Sequence, residues 1–186
     1  MIYIKDNFLD NKLFNQLTDY LNNFKEVKTY KKSFWAMPPP DNFINYIELK
    51  LNLLENKKIK NILAFFRQAK KNQDNDWRIH NDTIIENQLP DRALVLYMTD
   101  NEKNLNGTAF WEHKEKGDKV DKVNIEEFNN INLKYSNNKD KWILKSVIGA
   151  KKNRLISYPC NYFHSKYPNE FNKERIVFVM FYKYVE

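Results

Sequence analysis

Residues 62–82 read ILAFFRQAKKNQDNDWRIHND, and the character of the chain changes at the start of this stretch. Before Ile62 apolar residues recur at helical spacing, whereas from Ile62 onward they form short runs rich in β-branched and aromatic residues. No regularly spaced helices separate these runs, as a parallel sheet would require. The pattern predicts an antiparallel barrel or sandwich built from at least seven strands: ILAFFRQAK, DWRIH, RALVLYMT, GTAFWEH, WILKSVIGA, NRLISYP and RIVFVMFYKYV.

Two helices are predicted ahead of this β-rich region. After a short strand in IYIKDNFLD, a cap at Asp10 or Asn11 and apolar residues at helical spacing indicate a helix over about 11–24. Asp41 is positioned to cap a second helix. Between them, FWAMPPPDNF is expected to be loop, because three prolines fix extended backbone and remove hydrogen-bond donors. The apolar side of the second helix is formed by Phe43, Ile44, Ile47, Leu51 and Leu54.

Polar residues interrupt the β-rich region at 114–141. This stretch is rich in Lys and Asn and is expected to be an insertion with a short helix around IEEFNNI. The sequence shows no internal repeat and no composition shift typical of a domain boundary. We therefore expect one domain over 1–186, with an N-terminal strand and helices in 1–61 and the β-rich core in 62–186.

Composition narrows the functional classes. The net charge is +7, but most of the basic residues are lysines spread along the chain, and 27 residues are Asn. This pattern indicates a global bias in composition and argues against an evolved nucleic-acid-binding patch. Because Gly107, Gly117 and Gly149 are the only glycines, glycine-rich phosphate loops and the Gly-x-Ser-x-Gly nucleophile turn are excluded.

The sequence carries no signal for export or membrane insertion. Lys5 and Asp6 interrupt the first apolar residues, and no later stretch approaches about 18 uninterrupted apolar residues. The single cysteine, Cys160, cannot form an internal disulfide or a cysteine-rich zinc site, and it is expected to be a small buried side chain. These features predict a cytoplasmic protein with no membrane segment.

A histidine and an aspartate stand two residues apart at His80-x-Asp82, in a chain with three histidines. On an extended segment the side chains at i and i+2 point to the same side, so both can chelate one ion. A non-haem Fe(II) site that activates O2 takes two histidines and one carboxylate and leaves the opposite face open. The third ligand must come from a remote part of the chain, and His113 and His164 are the candidates.

Arg175 begins the apolar run RIVFVMFYKYV, eleven residues after His164. A guanidinium on a core strand is costly without an anionic partner, because burying an unpaired charge is unfavourable. Arginine also grips a carboxylate through two parallel hydrogen bonds, which lysine cannot do. An anionic partner is therefore expected for Arg175: a carboxylate ligand would satisfy it, and a surface pair with the adjacent Glu174 is the alternative.

The order His80-x-Asp82, His164 and Arg175 resembles the signature of the Fe(II)/2-oxoglutarate-dependent dioxygenases, especially their prolyl-4-hydroxylase-like branch. RALVLYMTDN resembles the family strand that carries a tyrosine for the co-substrate. NGTAFW resembles the Gly-Gly-Thr strand of the family with Asn in place of the first Gly, and NRLISYPCNYFHS resembles the strand and turn before the distal histidine. The opening IYIKDNFLD, followed by a helix, is similar as well.

The resemblance implies a fold and a reaction. The fold would be α+β, mainly β, with a double-stranded β-helix (jelly-roll, cupin-like) core and two N-terminal helices packed on one sheet. The reaction would be O2-dependent hydroxylation of an unactivated C–H bond, with decarboxylation of 2-oxoglutarate to succinate and CO2. The resemblance assigns His80, Asp82 and His164 to Fe(II), and it assigns Arg175 and Tyr97 to the distal carboxylate of 2-oxoglutarate.

This resemblance covers most of residues 1–24 and 62–184, and it leaves the substrate open. Analogy with the branch favours a prolyl or amino-acid-like substrate, either peptidyl or a small molecule. Trp35, Trp111 and His113 are expected at the rim of the site, with His113 exposed, because binding groups tend to lie on loops held by a rigid scaffold.

Two other functions fit part of the sequence. A non-catalytic basic β-barrel could bind single-stranded nucleic acid through its lysines and abundant aromatic side chains. A cupin-like metal enzyme would keep the metal ligands but would have no use for Arg175 and Tyr97. Oxidative repair of alkylated nucleic acid is disfavoured because Phe181 stands where that branch has a second arginine, and Asp82 argues against halogenation.

Overall fold

The computed structural model describes residues 1–22, 24–29, 32–70, 78–99, 106–120, 124–168 and 174–186. No helix in these ranges is long and apolar enough to cross a lipid bilayer. The strands and α-helices within them are β1 (Tyr3–Lys5), α1 (Asn11–Tyr20), β2 (Lys25–Thr29), β3 (Lys32–Met37), α2 (Asp41–Glu55), β4 (Ile59–Ala69), β5 (Arg92–Tyr97), β6 (Gly107–His113), α3 (Ile125–Tyr135), β7 (Trp142–Gly149), β8 (Leu155–Pro159), β9 (His164–Tyr167) and β10 (Arg175–Tyr184).

The strands form two antiparallel sheets. The larger sheet has the order β1-β8-β5-β10-β4-β3-β2, and the smaller sheet has the order β7-β6-β9. An isolated bridge between His80 and His164 places residues 78–82 beside β9, as a further edge of the smaller sheet. Tyr97 of the larger sheet and Phe110 of the smaller sheet belong to one buried core, so the two sheets face each other.

β5 shows how side-chain alternation divides the interior. The whole strand is buried. Leu94 and Leu96 belong to the core beneath the helices, whereas Ala93, Val95 and Tyr97 belong to the core between the sheets. Successive side chains of a strand point to opposite faces, so a strand covered on both faces reads as a continuous apolar run.

α1 and α2 cover the outer face of the larger sheet. Asp10 caps α1 as predicted, since the Leu13 amide donates to its Oδ1 at 2.9 Å. Asp41 is instead the first residue of α2, whose N-cap is Pro40, so its carboxylate favours the helix N-terminus through its charge. The prediction of two N-terminal helices packed on one sheet is confirmed. The helix residues buried in this core are Phe14, Leu17, Phe43, Ile47 and Leu51.

Two further predictions in the first part of the chain are wrong. α1 ends at Tyr20 instead of 24, because Lys25 already begins a β-hairpin made of β2 and β3. The segment Phe34–Met37, expected as loop, is strand because β3 pairs with β4 and extends the larger sheet. Pairing with a neighbouring strand overrides local helix or loop preference here.

A buried polar cluster ties the end of α2 to the larger sheet. The Glu55 carboxylate accepts hydrogen bonds from the hydroxyl groups of Tyr182 and Tyr184, the latter at 2.6 Å. Its Oε1 also lies 3.4 Å from Nε of Arg92, which donates to Ser157 Oγ at 2.8 Å. Burial raises the pKa of both tyrosines, so their hydroxyl groups stay neutral donors.

The polar insertion 114–141 contains the predicted helix, α3, and a small third core. Ile131 of α3 packs with Ile79 and Trp142. The Trp142 indole donates from Nε1 to the Tyr135 carbonyl at 2.8 Å. The insertion is therefore anchored on the side of the smaller sheet that faces away from the inter-sheet core.

β6 approaches β7 closely at Gly107. A Cβ atom at this position would lie 1.9 Å from the carbonyl oxygen of Ile148, so no larger residue fits without moving the backbone. This close pairing fixes the position of the next residue, Thr108, which faces the inter-sheet space.

Candidate active site

Residues 78–82, which we call the ligand segment, bring two of the predicted ligands to one side of the smaller sheet. The backbones of His80 and His164 exchange hydrogen bonds at 2.9 and 2.7 Å, and the Asp82 amide donates to the carbonyl of buried Cys160 at 2.8 Å. These bonds hold the segment extended, so side chains 80 and 82 point the same way. The possible ligand atoms of His80, Asp82 and His164 all lie within 4.8 Å of one another.

Backbone carbonyls orient both imidazoles. Nδ1 of His80 lies 3.1 Å from the carbonyl oxygen of Arg78, and Nδ1 of His164 lies 3.0 Å from that of Tyr162. A carbonyl only accepts hydrogen bonds, so each Nδ1 carries the proton and each Nε2 can offer a lone pair to a metal. The two Nε2 atoms lie 3.9 and 3.7 Å from the carboxylate oxygens of Asp82.

The environment of the Asp82 carboxylate favours a bound cation. The side chain is 8% exposed, and its Oδ2 accepts no hydrogen bond from the described residues. Burial raises the pKa of Asp82, while His164 and Arg78 act in the opposite direction. A buried, uncompensated carboxylate is unfavourable, and a divalent cation would compensate it. Two imidazole nitrogens and one carboxylate match the ligand set of non-haem Fe(II) sites, so these residues fit that ion.

His113, the other candidate for the third ligand, lies away from this group. It is fully buried, and the ring centroids of Tyr135 and Trp142 each lie 4.9 Å from its own. Burial lowers the pKa of His113, so the neutral form is favoured. The expectation of an exposed His113 at the rim is wrong, because the insertion 114–141 packs against the end of β6.

A second group of side chains offers donors to a carboxylate. Arg175 at the start of β10 is 6% exposed, and its guanidinium carbon lies 5.6 Å from the ring centroid of Tyr97. Tyr97 pairs with Val177, two residues after Arg175, so the register places both side chains on the face toward the smaller sheet. From β6, Thr108 Oγ1 lies 2.8 Å from the Tyr97 hydroxyl.

The Tyr97 phenol is suited to donating to an anion. Burial raises its pKa, and the charge of Arg175 acts in the opposite direction. The phenol is therefore neutral near pH 7 and keeps its proton. A guanidinium and a neutral hydroxyl on one face can together bind a carboxylate group.

The two tryptophans expected at the substrate rim lie on other faces of the sheets. Trp35 precedes Met37 by two residues in β3, and Met37 belongs to the helix-covered core, so both side chains point away from the inter-sheet space. Trp111 donates from Nε1 to Ser165 Oγ at 2.9 Å. Ser165 follows His164 in β9, so its side chain points to the face opposite the metal ligands.

The sequence pattern does not single out Tyr158, a buried residue of β8 beside the ligands. Its ring centroid lies 4.7 Å from that of His164 and 5.2 Å from that of Phe110. Burial, and then the nearby Asp82 carboxylate, raises the pKa of Tyr158 well above its ordinary value. Alternation in LISYP could have located it, because Ile156 and Tyr158 both face the inter-sheet core.

A half-buried apolar surface continues along the larger sheet beyond the core. Leu63 and Phe65 of β4 and Val179 of β10 pack against the inter-sheet core. The Phe65 ring centroid lies 6.2 Å from that of Phe34 on β3, and the Arg67 guanidinium lies 5.1 Å from the Phe34 ring. We call this surface, formed by Phe34, Leu63, Phe65 and Val179, the apolar floor.

No family model and no curated protein matches this chain. Solved structures do match. HygX from Streptomyces hygroscopicus, with nickel and 2-oxoglutarate bound, aligns over 98% of this chain and 82% of its own, with a TM-score of 0.64 and 10% identity. SnoN, the non-heme alpha-ketoglutarate-dependent epimerase from nogalamycin biosynthesis, aligns over 98% of this chain and 76% of its own, with a TM-score of 0.64 and 9% identity. The viral collagen prolyl hydroxylase vCPH from Paramecium bursaria Chlorella virus-1 aligns over 100% of this chain and 96% of its own, with a TM-score of 0.56 and 14% identity.

The chain has the fold of these three proteins. At identities of 9% to 14% the likeness concerns the fold, and it spans nearly the whole chain. The prediction of an α+β, mainly β structure with a double-stranded β-helix core is confirmed.

Proposed function

We propose that this protein is an Fe(II)- and 2-oxoglutarate-dependent oxygenase that hydroxylates a C–H bond and converts 2-oxoglutarate to succinate and CO2. One observation carries the proposal. His80, Asp82 and His164 converge within 4.8 Å, in the same inter-sheet space that Arg175 and Tyr97 face. A metal ion alone does not require a buried arginine. A keto acid with a distal carboxylate would bind both the metal and the donors of Arg175 and Tyr97.

In this proposal His80, Asp82 and His164 hold Fe(II), and iron, 2-oxoglutarate and O2 together supply the oxidising chemistry. The chain itself orients the ligands. The carbonyls behind the two imidazoles fix the rings with Nε2 toward Asp82. Asp82 and His164 are buried, which limits access of water to these two ligands.

Arg175, Tyr97 and Thr108 bind the distal carboxylate in this proposal. The guanidinium offers two parallel N–H donors, and the Tyr97 hydroxyl adds a third. The Thr108 hydroxyl, 2.8 Å from the Tyr97 hydroxyl, keeps the phenol in place by accepting from it or donating to it. Because all three side chains are buried, their hydrogen bonds to a charged group are stronger than they would be in water.

The proposed substrate surface is the apolar floor, in place of Trp35, Trp111 and His113. Its residues are half-buried and adjoin the core that contains Tyr97 and Tyr158. A prolyl or other amino-acid-like group is our first candidate, since similar folds include a Pseudomonas putida prolyl-4-hydroxylase and vCPH. A free small molecule is the alternative, because HygX has been crystallised with hygromycin B.

We also propose that residues 1–186 act as one domain. β1, β2 and β3 come from residues 1–61, and they are hydrogen-bonded into the same sheet as strands from 62–186. The N-terminal part therefore completes the wall that carries Arg175 and Tyr97.

Anaerobic titration with Fe(II) and 2-oxoglutarate tests the proposed function. The wild type is expected to develop the weak visible charge-transfer band of the iron–keto-acid chelate. Asp82→Ala removes a ligand and should abolish the band. Asp19→Ala is the matched control, because Asp19 is exposed on α1, on the outer face of the larger sheet, and this variant should keep the band.

A wild type that shows no band contradicts the proposal. Metal binding without any effect of 2-oxoglutarate would favour the cupin-like alternative. Salt-dependent binding of single-stranded nucleic acid without succinate release would favour the basic β-barrel. Succinate release in the absence of substrate then measures turnover before the substrate is known.

A further inference from the structure

The backbone of the ligand segment is hydrogen-bonded on two sides. On one side, the His80 amide donates to the His164 carbonyl in β9, and the Asp82 amide donates to the Cys160 carbonyl in the turn before β9. Two other amides of the segment donate to the insertion. The Ile79 amide donates to the Ser136 carbonyl at 2.9 Å, and the Asn81 amide donates to Asn132 Oδ1 at 3.3 Å. α3 and the residue after it therefore occupy the side on which a further strand would otherwise pair.

The side chain of Asn132 contacts Asn81 through three hydrogen bonds. Besides accepting from the Asn81 amide, it donates from Nδ2 to the Asn81 carbonyl at 3.2 Å and to the Asn81 Oδ1 at 2.8 Å. One side-chain amide thus satisfies both backbone groups of Asn81, as a neighbouring peptide in a sheet would. Asn81 is 2% exposed, so water has little access to replace these bonds.

Asn132 is itself held in a fixed position. Its neighbour Ile131 is 3% exposed in the third core. The Ser136 hydroxyl donates to the Asn132 carbonyl, and the Trp142 indole donates to the Tyr135 carbonyl at the end of α3. The helix therefore presents the Asn132 amide to the ligand segment from a packed support.

We infer that Asn132 is a positioning residue for the metal site, acting through the backbone of Asn81. Asn81 stands between His80 and Asp82, so any rotation of its peptide groups turns both ligands. The inference rests on the proposed function, because it assigns to α3 the alignment of ligands for that metal. Groups that orient metal ligands without touching the ion typically change metal affinity by about 10- to 100-fold when they are removed.

Titration of the metal-free protein with Co(II), followed by visible absorption, tests this inference without turnover. Asn132→Ala is expected to bind Co(II) about 10- to 100-fold more weakly than the wild type, with an altered ligand-field spectrum. Asn130→Ala, an exposed position on the same helix, should bind Co(II) like the wild type. Leu51→Ala loses packing in the helix-covered core, so it should melt at a lower temperature with unchanged Co(II) affinity.

Wild-type Co(II) affinity in Asn132→Ala overturns the inference. An equal loss of affinity in Leu51→Ala also overturns it, because the effect would then reflect general stability. Should circular dichroism show that Asn132→Ala is unfolded, Asn132→Leu keeps the volume without the hydrogen bonds and must show the same loss. A wild type that takes up no Co(II) contradicts the proposed function itself, and the two failures are thereby distinguished.

Discussion

The Asp82 carboxyl group is buried where its ionised form has few partners. One of its oxygens accepts no hydrogen bond from the described residues, and burial raises its pKa. The Nε2 atoms of the two imidazoles lie 3.9 and 3.7 Å from its oxygens, which is too far for hydrogen bonds. A carboxyl group that would complete the proposed metal site is therefore expected to lower the stability of the metal-free fold.

Asp82→Asn is expected to stabilise the metal-free protein by about 1–2 kcal/mol, because a neutral amide replaces an uncompensated buried carboxyl group. The same variant should lose the rise in melting temperature that Co(II) gives the wild type. Urea unfolding in the presence of a chelator measures the first effect, and thermal unfolding with Co(II) measures the second. A less stable Asn variant would show that the carboxyl group is well satisfied without metal.

Tyr97→Phe is expected to weaken 2-oxoglutarate binding by about tenfold, since it removes one hydrogen bond to a charged group, worth about 1.5 kcal/mol. Arg175→Gln should weaken it further, because the guanidinium supplies two donors and the charge. Co(II) affinity should be unchanged in both variants. Tyr20→Phe, which removes an exposed hydroxyl on α1, is the control. Equal 2-oxoglutarate affinity in all four proteins, measured by calorimetry, would contradict the assigned carboxylate site.

Strands with a run of apolar residues could be predicted from the sequence. Strands that form only because they pair with neighbouring strands could not. β5 and β10 read as apolar runs because both faces of each are largely covered. β2 reads KEVKT and shows no such run, and β3 adjoins three prolines. These two strands exist because they pair with each other and because β3 also pairs with β4, and such pairing leaves little trace in local sequence.

The contact of α2 with the larger sheet depends on Glu55 as well as on apolar packing. Glu55→Ala would leave the Arg92 guanidinium buried without its carboxylate and would remove the acceptor for Tyr182 and Tyr184. We expect a loss of about 3–5 kcal/mol in the free energy of unfolding, measured by urea denaturation. Glu48→Ala, at a more exposed position of the same helix, should cost less. A change below about 1 kcal/mol in Glu55→Ala would mean that water replaces the carboxylate.

Part of the candidate site could be predicted from the sequence, because some of its residues have side chains that are typical of metal or carboxylate binding. His80-x-Asp82 and Arg175 combine rare residue types with strand context, and their order along the chain pointed to His164 as the third ligand. The positions of Trp35, Trp111 and His113 could not be read in the same way. Which face of a sheet they occupy depends on register and on where the insertion packs, and both are decided by contacts between remote parts of the chain.

An ion-pair cluster joins the start of the chain to the turn before β8, and it links overall stability to pH. Arg154 contacts Asp6 at 2.6 and 3.0 Å, and Lys151 contacts it at 2.9 Å. Hydrogen bonds from Arg154, and then from Lys151, hold the pKa of Asp6 well below its usual value of 3.8. A lowered carboxyl pKa gives stability that is present above the unfolded-state pKa and is lost as the pH falls through the folded-state pKa.

Asp6→Asn is therefore expected to lower the free energy of unfolding by about 0.5–1 kcal/mol at pH 7, the scale of a partly exposed pair. The difference from the wild type should shrink as the pH falls from about 5 to about 2, where Asp6 is increasingly protonated in the unfolded chain. Urea unfolding at several pH values measures it, with Asp19→Asn as the control for an exposed carboxylate. A pH-independent difference would assign the effect to packing.

The ligand segment is fastened by its backbone on both sides, and none of those hydrogen bonds involves an ion. Under the proposed function, we therefore expect the metal to leave and return while the chain stays folded. If iron is the metal, as proposed, a cell short of iron would then hold the folded protein as an inactive pool that returning iron reactivates. Under the proposed function, the amount of active protein would then follow the availability of metal and not the rate of new synthesis.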